Sequence, residues 1–470
     1  MRVCQERDRI SYMPDLIHII FFLPMKDAMR TSILSKQWKS ITSSLPNFEF
    51  DQFSATGKKF TPVEFRNFID TMVARHDGSH IQRFCLNVKI NKPSMSFDHV
   101  YAWMGFAVDH NVKEIELEVD DIACMTMSEE SRRLPSCFFT CKTVTVLILY
   151  GVRIEWPSIV SFPALKSFTL QEVVFDYAKT ISGIISSSAC PVLEYLSIIY
   201  CELPQLTPII ISNPSIKYIK VYDNNNLPIK ISITTLRELQ CICVRPFNLS
   251  FENLSTLISA TFHFLDNYDD LAIDLDKEFS CATKLIHSLG NVKTLNLNTG
   301  ATEILCRGQD VRACLQTPCC SVKYLRLSMY SFKIHAQLIK LLLQIYPNVQ
   351  TLQIDVEDPV GGSTFSKTAD MEEAWHMKEI SHENIWNCLE TITILNFHGF
   401  EAELDIVRYL VENAKFLKKL NIKQTSSSQM LAKVGSQREA QMTALMSFVA
   451  KDFPKVSTFV GVANIDDYCH

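Results

Sequence analysis

The chain has 470 residues, of which 47% are hydrophobic and 21% charged, and its formal net charge is −5. This composition predicts a folded protein of two to four domains and excludes a largely disordered chain. The weakly acidic balance predicts no nucleic-acid partner, and the charged start MRVCQERDRI predicts neither a signal peptide nor a membrane segment there.

Residues 8–48 are predicted to form a small helical module. Apolar residues share one face of a first helix, which Pro24 ends: Leu16, Ile19, Ile20 and Leu23. A second apolar stripe follows at helical spacing: Leu34, Trp38, Ile41 and Leu45. About forty residues bury a marginal core, so such a module is expected either to bind a partner or to cap the domain that follows it.

The pattern apolar-x-x-apolar-x-apolar recurs through the rest of the chain. It occupies residues 81–86, 112–117, 144–149, 165–170, 193–198, 216–221, 236–241, 257–262, 292–297, 322–327, 349–354, 392–397 and 417–422. Its last two apolar positions lie on one face of a strand, and one strand cannot bury that face alone. The pattern therefore predicts parallel strands stacked as leucine-rich repeats.

Helical stripes lie between some of these strands. One comprises Phe65, Phe68, Ile69 and Met72, and another comprises Leu338, Leu341, Leu342 and Ile345. The predicted fold class is α/β: a small helical module and then a curved, irregular solenoid, with parallel strands on the concave side and helices or loops on the convex side. The alternative is a doubly wound α/β domain, which the number of similar units disfavours.

Binding by such a solenoid is expected on the strand face opposite the core. Alternation places ten residues there: Tyr195, Ser197, Tyr218, Lys220, Tyr222, Asn296, Tyr324, Arg326, Gln353 and Asp355. Tyr and Arg are the residue types that most often anchor interfaces. Tyr218, Tyr222, Tyr324 and Arg326 are therefore the candidate substrate-binding residues.

No motif in the sequence predicts catalysis, a cofactor or a metal. Nucleophile elbows, phosphate-binding loops and metalloprotease motifs do not occur. The 16 cysteines contain no Cys-x-x-Cys pair and fall mostly in apolar patterns, which favours reduced thiols in the nucleus or cytoplasm. His376 and His382, in the polar stretch 357–384, fit neither a helix face nor a zinc finger and indicate a loop excursion.

The N-terminal module carries a specific set of short runs. They are Asp8-Arg9-Ile10-Ser11, Met13-Pro14-Asp15, Phe22-Leu23-Pro24, Lys26-Asp27-Ala28, the segment 30–36, and Trp38. This set resembles the plant F-box. The resemblance implies docking on the Skp-type adaptor of an SCF ubiquitin ligase, and by motif the docking residues are Met13, Pro14, Ile20, Leu23, Pro24, Leu34 and Trp38.

Residues 386–424 form a further repeat with a full helix. Its strands surround Gly399 and an amphipathic helix with Leu404, Val407, Leu410 and Val411 on one face. The segment resembles the FBD region that follows the repeats in many plant F-box proteins. A terminal helix around Met442, Leu445 and Val449 is predicted to cap the solenoid. The expected domains are an F-box at 1–50, repeats at 51–385 and an FBD-like region with its cap at 386–470.

The leading hypothesis is a non-catalytic receptor. The F-box would connect the chain to a cullin-based ligase, and the repeats would hold an unknown protein substrate. One alternative is a repeat scaffold without a ligase, because Pro14 and Pro24 stand closer together than in the family pattern. Another is a small-molecule co-receptor similar to the auxin-receptor F-box proteins, although the predicted binding face has no Lys and Arg cluster.

Overall fold

The structure is a computed structural model. It describes residues 25–31, 42–53, 60–90, 94–120, 134, 136–155, 159–203, 207–223, 227–243, 249–264, 275–307, 321–330, 333–357, 386–397, 399, 401–424 and 435–462. The chain forms two compact units: Met1–Lys220 with Leu227–Ile229, and Val221–Asn226 with Lys230–His470.

The first unit alternates strands with helices. In chain order its elements are α1 (Met25–Thr31), β1 (Asn47–Asp51), α2 (Pro62–Arg75), β2 (Arg83–Lys89), α3 (Phe97–Asp109), β3 (Glu114–Asp120), the 3₁₀ turn Ser136–Thr140, β4 (Val146–Tyr150), β5 (Arg153–Ile154), β6 (Ser167–Gln171), β7 (Val174–Phe175), α4 (Ala178–Ile184), β8 (Tyr195–Ile199) and β9 (Ile209–Ile211). Strands β1, β2, β3, β4, β6 and β8 pair in that order, and every pair is parallel. Strands β5 and β7 form a separate parallel pair.

The division between the units falls within β10 (Tyr218–Asp223) and β11 (Ile229–Ser232). The second unit continues with β12 (Glu238–Cys243), β13 (Leu249–Glu252), β14 (Ser259–Phe264), α5 (Leu275–His287), β15 (Thr294–Leu297), α6 (Thr299–Arg307), β16 (Tyr324–Tyr330), α7 (Lys333–Ile345), β17 (Thr351–Glu357), β18 (Thr391–Phe397), α8 (Glu401–Asn413), β19 (Lys419–Gln424), α9 (Gly435–Asp452) and β20 (Ser457–Val462). Strands β12, β14, β15, β16, β17, β18, β19 and β20 pair in that order, all parallel.

The core of each unit consists of the recurring apolar triads. All three residues of every predicted triad are buried, including the small Ala260 and the thiol of Cys241. Successive repeats stack these side chains because equivalent positions are directly paired, as Leu325 is with Leu352. The predicted α/β fold of parallel strand repeats is therefore confirmed.

The repeat at β18 is shifted by three residues from its predicted position. Ile392 and Ile394 pair in register with the triads of β17 and β19, so this repeat begins at Leu389. The prediction that residues 392–397 supply the triad is wrong in register. A bulge at the end of the strand, where Asn396 has a φ of 55°, turns the later apolar side chains inward as well.

The helices bury the stripes that were predicted for them, except that Phe68 of α2 is half-buried. In α2, Phe65, Ile69 and Met72 are buried. Thr61 caps this helix, since its Oγ1 accepts from the Glu64 backbone N–H at 3.3 Å while the Glu64 carboxylate accepts from the Thr61 N–H at 2.9 Å. The stripes of α7 and α8 are buried in the same way. Helix α3 was not predicted.

The two ends of the repeat region differ from the prediction. At the start, β1 pairs with β2 and crosses the expected boundary at residue 50. At the end, the predicted helix α9 buries Leu445 and Val449, but it is followed by a strand, β20, that pairs with β19. Phe459 of β20 is 56% exposed. Most of the expected excursion at 357–384 and all seven expected adaptor-docking residues lie outside the described residues.

In the described part of the chain, no helix combines the length and the apolar character needed to cross a membrane.

Candidate protein-binding surface

The register of the first unit aligns its outward-pointing side chains in three rows across six strands. We call this surface, opposite the buried triads, the first-unit face. Row one contains Asn47, Arg83, Glu114, Val146, Ser167 and Tyr195. Row two contains Glu49, Cys85, Glu116, Ile148, Thr169 and Ser197. Row three contains Asp51, Asn87, Glu118, Tyr150, Gln171 and Ile199.

The β1–β3 end of this face is acidic. Strand β3 reads EIELEVD, so that each second residue is a carboxylate while Ile115 and Leu117 face the core. Arg83 pairs with Glu116 at 2.7 Å from Nη2 to Oε2. The ammonium group of Lys89 lies farther from its nearest carboxylate, Asp120, at 3.9 Å.

Glu118 lies among like charges. Its burial raises the pKa of the carboxyl group, and the nearby carboxylates of Glu116, Asp51, Asp120 and Glu172 raise the pKa further. In row three, Asn87 stands between Asp51 and Glu118, and its buried Oδ1 atom has no hydrogen-bond partner among the described residues. This part of the face therefore presents hydrogen-bond acceptors and negative charge.

The β4–β8 end of the first-unit face carries no charged residue in its three rows, and its β4 strand is apolar and aromatic. Ile148 and Tyr150 lie on β4, next to the carboxylates of β3. Burial, together with a hydrogen bond to Glu172, raises the pKa of Tyr150 to about 12, so this phenol stays neutral. Tyr195 is 36% exposed. Ser197 is only 1% exposed, yet its hydroxyl has no hydrogen-bond partner within the part of the chain that the structure describes.

The outer polar side chains of β16, β17 and β18 in the second unit pair with one another. The Tyr324 hydroxyl donates to Gln353 Oε1 at 2.5 Å. Arg326 Nη2 lies 3.6 Å from Asp355 Oδ2, and Asn396 Nδ2 donates to Asp355 Oδ1 at 2.8 Å. The side chains of Arg326 and Asp355 are only 14% and 10% exposed, and burial raises the pKa of Asp355 although Arg326 opposes that shift.

A hydrogen bond between two outer side chains also joins β15 to β14. Asn296 Nδ2 donates to Thr261 Oγ1 at 3.0 Å across β15 and β14. His263 lies on the same strand as Thr261, and burial and then the charge of Arg326 lower the pKa of its imidazole. The imidazole is therefore neutral at physiological pH, and the positive charge in this neighbourhood is that of Arg326.

The structure places the predicted binding residues in different environments. Of the ten residues expected on the outer face, three are buried, which corrects the prediction for them: Ser197, Gln353 and Asp355. Gln353 is contacted by Tyr324, and Asp355 by Arg326 and Asn396. Tyr218 is 38% exposed and Tyr222 is half-buried, while Tyr324 and Arg326 contact Gln353 and Asp355. A role of these four in substrate binding stays a prediction.

The acidic end of the first-unit face was missed. Its signal was present in the alternating carboxylates of residues 114–120 and in Glu49 and Asp51. The pairing of both β1 and β3 with β2, which brings these carboxylates onto one face, could not be derived from either segment alone. In the part of the chain that the structure describes, no group of three or more His, Cys, Asp or Glu residues is arranged to hold a metal ion.

Comparison with known proteins defines the class. A family model described as "FBD-associated F-box protein At5g56370, LRR repeats" matches residues 100–354. An F-box domain model matches residues 10–50 and an FBD model matches residues 383–422. Matches of these three kinds define an F-box protein with leucine-rich repeats and an FBD region.

The repeat model spans more than half of the chain, and the chain therefore belongs to the family of FBD-associated F-box proteins with leucine-rich repeats. Three relatives from Arabidopsis thaliana illustrate the similarity. F-box/FBD/LRR-repeat protein At1g78750 is 25% identical over 439 residues, covering 89% of this chain and 90% of that protein. FBD-associated F-box protein At5g38590 is 25% identical, covering 88% of this chain and 93% of that protein. Putative F-box/LRR-repeat protein At3g42770 is 26% identical, covering 95% and 79%.

Proposed function

We propose that this chain is the substrate-recognition subunit of an SCF-type E3 ubiquitin ligase. Its F-box docks on a Skp-type adaptor, and the outer face of its repeats binds a protein substrate. The observation that carries the proposal is the order of three domain matches in one chain: an F-box, leucine-rich repeats and an FBD region. Members of F-box families with such repeats are generally adaptor subunits rather than enzymes.

The form of the repeats supports a binding role. Parallel strands bury one set of side chains and leave a row of outer residues at each repeat position. On the first-unit face, these rows combine carboxylates with the exposed Tyr195, which suits recognition of a protein segment. The transfer of ubiquitin is then carried out by other subunits, and this chain contributes proximity and orientation.

The adaptor half of the proposal is tested with purified components. The full chain is mixed with a purified Skp-type adaptor and run on a sizing column, with a regular F-box protein as the positive control. We expect coelution, and we expect Leu34→Arg and Trp38→Ala to abolish it. Tyr218→Ala combined with Tyr222→Ala is the matched control, because those residues lie on strand β10, outside the F-box match. No coelution of the unaltered chain would leave a binding scaffold without a ligase.

The substrate half is tested in cells. Proximity labelling with and without a proteasome inhibitor identifies proteins that accumulate near the chain only under inhibition. We expect the paired Tyr218→Ala and Tyr222→Ala change to reduce their capture while leaving the adaptor bound. Capture that is unchanged removes these two tyrosines from the binding surface. We further propose that the chain acts in the nucleus or cytoplasm, which a fluorescent fusion expressed in plant cells tests directly.

A further inference from the structure

We infer that the first-unit face is a docking site for a basic, extended segment of a partner protein. Lys or Arg side chains of the segment lie over the carboxylates of β1 and β3, and an adjacent apolar side chain lies over Ile148 and Tyr150 of β4. This inference rests on the proposed function, since it names the chemical class of the substrate that the repeats recognise.

The first argument is the excess of acceptors over donors. Asp51, Asn87 and Glu118 stand side by side in row three, and adjacent strands are about 4.8 Å apart. Two of them are carboxylates, and the third presents a buried amide oxygen to which no described residue donates. Ammonium and guanidinium groups are donors only, so basic side chains placed over this row would pair with its carboxylates.

The second argument is that the cations of the face are already committed. Arg83 pairs with Glu116, and Lys89 lies nearest to Asp120. Among the described residues no cation pairs with Glu118, which lies among like charges, as the raised pKa of its carboxyl group reflects. A basic ligand therefore relieves repulsion that the free protein carries, whereas an acidic ligand would add to it.

The third argument is the apolar strand directly beside the carboxylates. Glu116 pairs in register with Ile148, and Glu118 with Tyr150, so a cation and an apolar group can be accommodated about one strand spacing apart. Tyr195, at the far end of the face, and Tyr218, on β10 beyond it, are each more than a third exposed. They lie on neighbouring segments, since the Tyr218 N–H donates to the carbonyl of Glu194 at 3.0 Å. Tyrosines of this kind anchor peptide side chains at interfaces.

On β16 and β17 of the second unit, by contrast, the outer polar side chains pair with one another. There the charge of Arg326 faces Asp355, and Tyr324 donates to Gln353. A ligand would have to break these buried contacts before binding, and their loss is costly. The excess of carboxylates on β1 and β3 therefore points to the first-unit face.

The test uses fluorescence anisotropy with the purified full chain. The probe is a fluorescein-labelled peptide in which Arg-Arg-Leu-Phe is flanked on both sides by Gly-Ser. Two comparison peptides replace Arg-Arg by Glu-Glu or Leu-Phe by Gly-Gly, and spermine serves as a small polycation. We expect the basic, apolar probe to bind with a dissociation constant in the micromolar range. Both comparison peptides should bind at least tenfold more weakly. Spermine at a concentration equal to the probe's dissociation constant should not displace the probe.

Isosteric variants locate the site. Glu118→Gln combined with Asp51→Asn should weaken binding of the probe about tenfold without lowering the melting temperature. Asp109→Asn, at the exposed end of α3, removes the same kind of charge elsewhere and should leave binding unchanged. Four results would each overturn the inference: the probe does not bind, the Glu-Glu peptide binds as well as the probe, the double variant binds the probe as well as the unaltered chain does, or spermine displaces the probe.

The two proposals fail in distinguishable ways. Peptide binding needs neither the adaptor nor ubiquitin, so a chain that coelutes with the adaptor but ignores the probe keeps its proposed function and loses this docking site. Binding of the probe by a chain that does not coelute with the adaptor leaves the docking site intact and rejects the ligase role.

Discussion

Gly151 is a position at which a single added methyl group should be poorly tolerated. It follows β4 with a φ of +70°, and a Cβ atom built there would lie 2.2 Å from the carbonyl oxygen of Val119 in β3. The left-handed conformation alone costs a residue other than glycine about 1 kcal/mol. The contact adds about 2 kcal/mol, because the carbonyl belongs to the backbone of a paired strand and cannot rotate away.

Gly151→Ala should therefore destabilise the first unit by about 3 kcal/mol, which lowers the melting temperature of a domain of this size by about 6–12 °C. Urea unfolding followed by circular dichroism measures the change in free energy. Gly78→Ala is the matched control, since Gly78 has a φ of +88° but a Cβ there meets nothing within 4 Å. It should cost only about 1 kcal/mol. If the two variants are equally destabilised, the close approach of β4 to β3 does not carry the cost and the reasoning fails.

Three further outcomes are expected. Trp103→Phe should cost about 1–2 kcal/mol in urea unfolding, because the indole donates to Asp70 Oδ1 at 2.9 Å from a buried position. Arg326→Ala should lower the free energy of unfolding by about 3 kcal/mol, because it leaves the carboxylate of Asp355 buried without its cation. Adding Asp355→Asn should recover part of that loss. If the effects of the two substitutions were simply additive in a double-mutant cycle, the pairing would be contradicted. Glu118→Gln should raise the melting temperature at pH 7, because the raised pKa of Glu118 means that its ionised form is disfavoured in the folded state. This gain in melting temperature should disappear as the pH falls through the raised pKa to below 4.5. A gain that persists in acid would refute the assignment.

The repeats were predictable because two independent regularities coincide. A spacing of two places the last apolar residues of each triad on one strand face, and their return along the chain requires neighbours to cover that face. Even weak members such as Ala260 and Cys241 are buried, since the positions on both sides fix their place in the stack.

The register of β18 could not be predicted, because its own sequence contains two overlapping triads. Residues 389–397 read LETITILNF, which fits the pattern from Leu389 and again from Ile392. The choice is made by pairing, in which Ile392 lies opposite Leu420 of β19. A bulge with Asn396 in the left-handed region then lets both sets of side chains reach the core.

Alternation predicts which side chains of a strand face outward but not which of them meet, and the reason lies in how parallel repeats combine residues. Alternation correctly assigns Arg326 to the outer side of its strand. It does not reveal that Asp355, one strand away, supplies the counter-charge, because that partner is set by register between repeats of unequal length. The same mechanism places Asp51 and Glu118 in one row although they are far apart in the chain. In a stack of parallel strands, charged residues become neighbours when they occupy the same position in successive repeats, even if they are distant in the sequence. An alignment of the repeats on their triads, followed by a comparison of the residues at each outer position, is therefore the step that finds such a face.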